Sequence, residues 1–320
     1  MENPAEVIMS PRKTKDYLLI LIKGAGMGAA DVVPGVSGGT IAFITGIYEE
    51  LIFSIRNFPK ALPILFTKGP VPFWKYANAT FLLTLMLGIL FSVVSLARVI
   101  TYLLNTYPVI IWSFFFGLIL ASTVFVIKKI RINIPTALFF LSGASLAYYI
   151  TIAAPVQTPE SMGFVFLSGF IAICAMILPG ISGSFILLLL GKYDFILHAV
   201  KNFDIKTILI FMAGCLVGVF SFAQVISWLF KRFYAASMAL LAGFMVGSLN
   251  KVWPWKIVTQ YRLNSKNEMV PFLDKSVTFG EYEAITGQNG YVLYAAVFML
   301  VGFISIFLIE KLSVKKKILD

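Results

Sequence analysis

Pro34-Gly35-Val36-Ser37-Gly38-Gly39 and Pro179-Gly180-Ile181-Ser182-Gly183-Ser184 are two copies of one motif in a single chain. The correspondence extends well past the motif. An offset of 145 pairs Gly24 with Gly169, Gly46 with Gly191, Tyr48 with Tyr193 and Glu49 with Asp194. It also pairs Arg56 with Lys201, Asn57 with Asn202 and Phe58 with Phe203. A register shared over about thirty-five residues indicates internal duplication. In a chain this apolar, duplication points to two halves built around a central site.

The chain has 320 residues, 59% of them hydrophobic and 13% charged, with mean hydropathy +0.90. Soluble domains run nearer about 45–50% apolar and about 25% charged. Phe81 to Arg98, Val109 to Ile127, Ile134 to Ala154, Ile208 to Phe230 and Tyr291 to Ile309 are long apolar runs. Each is long enough to cross a hydrocarbon layer about 30 Å thick. The runs are continuous rather than alternating, which excludes a membrane β-barrel. The formal charge of +11 sits in loops between spans, where membrane topology explains it before nucleic acid does. Cys174 and Cys215 lie in apolar segments and read as packing residues, and His198 has no partner histidine. No metal site and no cofactor is expected. The polar stretch Met1 to Asp16 does not resemble a cleavable signal.

A second offset, 126, pairs Gly88 with Gly214, Ser95 with Ser221, Ala97 with Ala223, Val99 with Val225, Gly117 with Gly243 and Ser122 with Ser248. Gly143 matches Gly302 more weakly. Each half is then one motif segment followed by three apolar segments. Pro34-Gly35 breaks any helix entering from Tyr17, and irregular backbone at membrane depth survives only inside protein or beside a wet cavity. Each motif segment therefore reads as a re-entrant hairpin. Cation placement tests this. With hairpins, the groups around Arg12, Arg56, Lys128, Lys231 and Lys311 share one side with Lys60, Lys68 and Lys75. Counting each motif segment as a span instead would place Arg56, Lys128, Lys129 and Arg131 outside, against the positive-inside rule.

The expected fold is an all-α polytopic membrane protein of two inverted repeats, each a re-entrant helical hairpin plus three transmembrane helices. Residues 17–154 form the first repeat, with its hairpin over 17–55. Residues 162–310 form the second, with a hairpin over 163–200 and an extracytoplasmic loop over 253–290. The tails 1–16 and 311–320 are cytoplasmic.

The motif suits an anion. Glycines let backbone N–H groups approach a ligand, Ser37 and Ser182 are good N-caps, and the following helix points its positive end at the turn. Such a site suits phosphate, although no Gly-Lys-Ser/Thr follows as in a nucleotide P-loop. The plainer alternative is that the glycines only let two hairpins cross closely. Candidate phosphate ligands are Ser37, Gly38, Gly39, Thr40, Ser182, Gly183, Ser184 and Arg98. Arg98 sits inside an apolar span, where it either grips phosphate or snorkels to headgroups. Asp31, Glu49 and Asp194 are candidate coupling or gating residues, since an intramembrane carboxylate is costly. The plainer readings are a solvated or capping Asp31, and interface anchors at Glu49 and Asp194.

Lys23-Gly24 through Asp31-Val32-Val33-Pro34-Gly35-Val36-Ser37-Gly38-Gly39-Thr40-Ile41-Ala42, then Gly46-Ile47-Tyr48-Glu49, resembles a bacterial membrane family. It is the polyprenyl-phosphate (undecaprenyl-phosphate) translocase family, the PopT group. Ile177 to Ser184 and Gly191 to Asp194 resemble it as well, and the likeness spans Tyr17 to Ile309. Ser184, standing where the first copy has Gly39, departs from equality of the two loops. The resemblance implies a translocase of the cytoplasmic membrane that returns undecaprenyl phosphate from the outer to the inner leaflet for cell-wall synthesis. Coupling to H⁺ or Na⁺ is the accompanying expectation. A small-anion transporter of the same architecture, a lipid-phosphate phosphatase and a non-transporting scaffold are the alternatives.

Overall fold

The computed structural model describes residues 12–33, 35–263 and 269–317; Pro34, in the first motif, lies outside them. Helix α1 (Thr14–Val32) opens the chain. Asp16 accepts the Lys13 backbone N–H at 2.8 Å, placing a carboxylate at the positive helix end. The return helix α2 (Gly38–Ile44) doubles back along α1. A Cβ on Gly26 would touch Ile41, and one on Gly38 would touch Asp31. Within residues 17–55 the return limb is thus only two turns long. Gly46, at φ +72°, then turns the chain, which swings by 118° into α3 (Tyr48–Lys68). Helix α4 (Pro70–Tyr76) follows.

Three long apolar helices complete the first half: α5 (Ala79–Thr106), α6 (Pro108–Lys128) and α7 (Ile134–Ile152). Pro108 and Pro135 sit in the first turns of α6 and α7, where a missing N–H costs nothing. The second half begins with α8 (Met162–Ile177) and its return helix α9 (Gly183–Leu189). A bend of 107° leads into α10 (Tyr193–Lys201), with Gly191 at φ +63°. Then come α11 (Ile205–Arg232) and α12 (Tyr234–Ser248), which continues as the 3₁₀ turn Leu249–Val252.

Residues 253–290 are more than the loop expected from sequence. Strands β1 (Lys256–Leu263) and β2 (Met269–Ser276) pair antiparallel, and α13 (Phe279–Thr286) follows. Ile257, Val258, Thr259 and Tyr261 supply the branched and aromatic side chains that favour strand. The module is pinned by Trp255 Nε1 donating to Gly290 O (2.7 Å) and Trp253 Nε1 donating to Val277 O (2.8 Å). Helix α14 (Val292–Lys317) ends the fold.

Among the described residues, five helices are long and apolar enough to cross a membrane, or up to seven if each bent pair counts as one span. Phe91, Val94, Leu141, Leu209 and Leu216 point outward, as lipid-facing side chains do, while Phe81, Ile119, Leu241 and Met245 are buried. The chain is a helical, multi-pass membrane protein.

Helix packing repeats at matched positions. A Cβ on Gly24 would lie 2.4 Å from Leu85 O, and one on Gly169 would lie 2.4 Å from Phe211 O. The same holds for Gly88 on Leu21 O and Gly214 on Phe166 O, at 2.2 and 2.0 Å. Gly117 meets Met299 O and Gly243 meets Phe140 O, at 1.9 and 2.1 Å. Gly143 and Gly302 complete the set against Leu240 O and Phe114 O. Hydrocarbon gives helices no hydrophobic reason to associate, so such close backbone contact is a main source of cohesion. The pairings also interleave the halves: α1 packs on α5 and α8 on α11, but α7 packs on α12 and α6 on α14.

Candidate functional site

The two motif turns meet. Ser37 Oγ donates to Met176 O at 3.0 Å, and Gly180 N donates to Thr40 Oγ1 at 2.8 Å. Ser37 and Thr40 are wholly buried. A Cβ on Gly39 would lie 2.8 Å from Ile177 O, so the first tip can reach the second only through glycine. On its far side the second tip presses on the end of α12, where a Cβ on Gly180 would lie 2.6 Å from Ser248 Oγ.

The two tips differ in what holds them. In the first, Asp31 Oδ1 accepts the Gly38 N–H at 2.6 Å, and Ser37 Oγ caps α2 by accepting the Gly39 N–H at 3.1 Å. Amides that suggested an anion site are thus engaged by the chain's own oxygens, one of them a carboxylate. In the second, Met176 stands where the first has Asp31. Ser182 occupies the N-cap position without capping, and its hydroxyl pairs with Ser184 at 2.7 Å. Ser184 is exposed, so a side chain fits there although its counterpart Gly39 has no room for one. Both return helices have only seven residues, which leaves loop amides and hydroxyls, rather than a helix dipole, as the donor set.

The other candidates lie elsewhere. Glu49 accepts from Tyr234 Oη at 2.9 Å, at the opposite end of α12 from Ser248. That is about 20 Å along a helix rising ~1.5 Å per residue. Its neighbour Glu50 takes Arg12 at 2.5 Å and Asn78 Nδ2 at 2.8 Å. Asp194 lies in the first turn of α10, next to Lys192, whose buried ammonium donates to Thr158 O at 2.8 Å. Arg98 is exposed on α5 and makes no hydrogen bond or ion pair among the described residues. The geometry therefore gathers Ser37, Gly38, Gly39, Thr40, Ser182, Gly183, Ser184 and Asp31, and leaves Arg98, Glu49 and Asp194 outside.

A cation that sequence reasoning missed does reach the tips. The Lys251 stem covers Gly35, whose Cβ would lie 2.5 Å from Lys251 Cγ, and its ammonium lies 4.6 Å from the centre of the Phe185 ring. Lys251 thus touches the first motif loop and the return helix of the second hairpin. Its ammonium pairs with Asp274 at 2.9 Å, and Lys256 pairs with the other carboxylate oxygen at 3.3 Å. Burial pushes the Lys256 ammonium down to about 8 against the pull of Asp274. Burial alone would raise the Asp274 carboxyl, but Lys256 and Lys251 outweigh it and hold it below the ordinary carboxylate range. The available signal was a lysine three residues after Ser248, at the end of an apolar run.

These features define a multi-pass helical membrane protein whose duplicated motif loops meet inside the helix assembly. Residues 27–270 match the VCA0040-like, undecaprenyl phosphate translocase-like family, and the chain belongs to that family. It is 46% identical over 305 residues to a polyprenyl-phosphate transporter of Vibrio cholerae serotype O1 (strain ATCC 39315 / El Tor Inaba N16961), covering 95% of this chain and 99% of the relative. A polyprenyl-phosphate transporter of Staphylococcus aureus (strain NCTC 8325 / PS 47) is 32% identical over 253 residues, covering 73% and 85%. No solved structure matches the chain.

Proposed function

We propose that this protein carries a polyprenyl phosphate, in the first instance undecaprenyl phosphate, from the outer to the inner leaflet of the bacterial cytoplasmic membrane. There the lipid re-enters cell-wall polymer synthesis. The phosphate head is handled at the paired tips, the isoprenoid tail stays in lipid, and access alternates between two inverted repeats. The relatives' names support the substrate. The observation that carries the reading is the contact between the two loops, Ser37 on Met176 and Gly180 on Thr40.

Helix directions support opposite entry of the hairpins. Helix α6 leaves the turn at Tyr107 and ends at the basic loop from which α7 starts. Helix α12 lies parallel to α7, with Gly243 against Phe140 and Gly247 against Ala144. The Phe233 turn that begins α12 then faces the side opposite the Tyr107 turn, although both share one backbone shape (φ −131°, ψ 53° and φ −136°, ψ 51°). Helix α1 is parallel to α5 and α8 to α11, so α1 starts on the side of Phe233 and α8 on the side of Tyr107. Arg12, Arg56, Lys231 and Arg232 collect near Phe233, which favours that side as cytoplasmic, with both termini there. Inverted repeats with broken helices at the midplane suit alternating access.

In this mechanism an incoming phosphate competes with Asp31 for the Gly38 amide. The displaced carboxylate, left half-buried, gains a reason to take up a proton, which links head-group binding to H⁺. Glu49 and Asp194, in the first turns of α3 and α10, act at the two hairpin mouths. The test is reconstitution of the protein into liposomes bearing head-labelled polyprenyl phosphate in one leaflet. Protein-dependent loss of the label from that leaflet supports the reading. Uptake of inorganic phosphate without any lipid carrier favours a small-anion transporter, and release of phosphate from the lipid favours a phosphatase.

A further inference from the structure

We infer that Lys251 and Lys256 form a receiving site for a phosphate monoester head on the face opposite the Arg56–Lys231 side, and that Asp274 fills this site while no head is bound. The inference rests on the polyprenyl-phosphate reading above. Its basis is the two ammonium groups converging on one carboxylate, 2.9 and 3.3 Å from its two oxygens. The Lys251 and Lys256 side chains are only 14% and 10% exposed, against 33% for Asp274. Two nearly buried cations thus face outward onto a single, more accessible anion.

Lys251 is fixed on the turn that ends α12, whereas Lys256 opens β1 and shares the β-hairpin with Asp274. Lys251 is held by Gly35 beneath its stem and Phe185 beside its ammonium. Lys256 donates to Lys251 O, and its ammonium lies 5.1 Å from the centre of the Trp112 ring. Asp274 belongs to β2, which docks on this region through Ser276 Oγ donating to Asn250 Oδ1 at 3.0 Å and through Trp253. Two lysines against one aspartate leave an excess positive charge, and a phosphate monoester carries up to two negative charges. A phosphate taking the place of Asp274 would therefore neutralise the pair more completely. Burial lowers the Lys256 ammonium first, and the neighbouring Lys251 charge adds to it. Because Lys251 also touches Gly35 and stands beside Phe185, a head bound here is next to the first motif loop and the second return helix.

The experiment measures binding of farnesyl phosphate, a soluble short-chain head-group probe, to purified full-length protein, with inorganic phosphate in a parallel arm. Asp274→Asn removes the internal competitor but keeps an amide for the β-module contact. It is expected to tighten farnesyl phosphate binding about tenfold. Lys251→Met keeps the stem on Gly35, removes the charge, and is expected to weaken binding at least tenfold. In the Lys251→Met background Asp274→Asn should lose most of its effect. Unchanged or weaker binding by Asp274→Asn, in protein that remains folded at the assay temperature, overturns the inference. Should Lys251→Met fail to fold, Asp274→Asn alone decides. Tightening toward inorganic phosphate as strongly as toward farnesyl phosphate assigns the site to free phosphate and overturns the head-group assignment. Failure of wild type to bind or move any polyprenyl phosphate is the separate failure of the functional reading.

Discussion

Thr40 Oγ1 accepts the Gly180 N–H at 2.8 Å, joining the two copies of one motif across 140 residues of sequence. The first loop thereby supplies the acceptor for a buried amide of the second. Replacing Thr40 with Val keeps the shape and removes that acceptor. An unsatisfied buried donor costs about 1–3 kcal/mol. Thr40→Val should lower Tm measurably in thermal unfolding of the detergent-solubilised protein, whereas Thr40→Ser should restore most of the loss. Equal stability of the Val variant and wild type would show that the loops do not depend on this bond.

The glycine crossings predict paired sensitivity. A Cβ at Gly88 or Gly214 would lie 2.2 or 2.0 Å from a backbone oxygen of the facing helix, while Gly163 has nothing within 4 Å. Gly88→Ala and Gly214→Ala should each destabilise by about 1–3 kcal/mol through forced helix separation. Gly163→Ala should stay within about 0.5 kcal/mol of wild type. Chemical unfolding in mixed micelles ranks the three. A tolerant Gly88 beside an intolerant Gly214 would break the equivalence of the halves.

Asp31 predicts the response to a proton gradient. Asp31→Asn keeps an oxygen for the Gly38 N–H but cannot take up a proton. In liposomes with an imposed pH difference, wild-type transport should change with the direction of the gradient and the Asn variant should not. An identical pH response in both would move the coupling role elsewhere, with Glu49 the next position to replace.

Asp274 gives a pH dependence with a defined sign. Its carboxyl is held below its usual 3.8 in the folded protein. A depressed carboxyl contributes stability above the unfolded value, and that contribution is lost as pH falls through the folded value. Wild type should therefore unfold at a higher temperature than Asp274→Asn at pH 6, and the gap should close as the pH drops below about 4. A gap that widens on acidification would contradict the lysine pairing.

Much of this architecture is local chemistry and hence legible in the chain. Apolar runs mark the long helices, and Gly46 and Gly191 share left-handed backbone because each must turn a return limb. The matched glycines identify helix contacts whose partners the sequence does not name. That α7 packs on α12 and α6 on α14 across the halves is a property of tertiary pairing, invisible to any window of sequence. The loop contact of the candidate site was legible where the motif itself builds it, at Ser37, Gly39 and Thr40. An arginine in an apolar run demands a reason, and Arg98 stands exposed on α5 without a hydrogen bond or ion pair among the described residues. Lys251 carried too weak a local signal, because its importance comes from reaching Gly35 and Phe185 in two separate hairpins.

The most direct measurement is the leaflet assay with the loop hydroxyls removed. Liposomes carry wild type or the double variant Ser37→Ala/Ser182→Ala, with head-labelled polyprenyl phosphate at first only in the outer leaflet. The expected result is rapid protection of the label with wild type and at least a tenfold slower rate with the variant, at matched Tm and incorporation. Label protected no faster by wild type than by protein-free liposomes, or equally fast by the double variant, would contradict translocation through the paired tips.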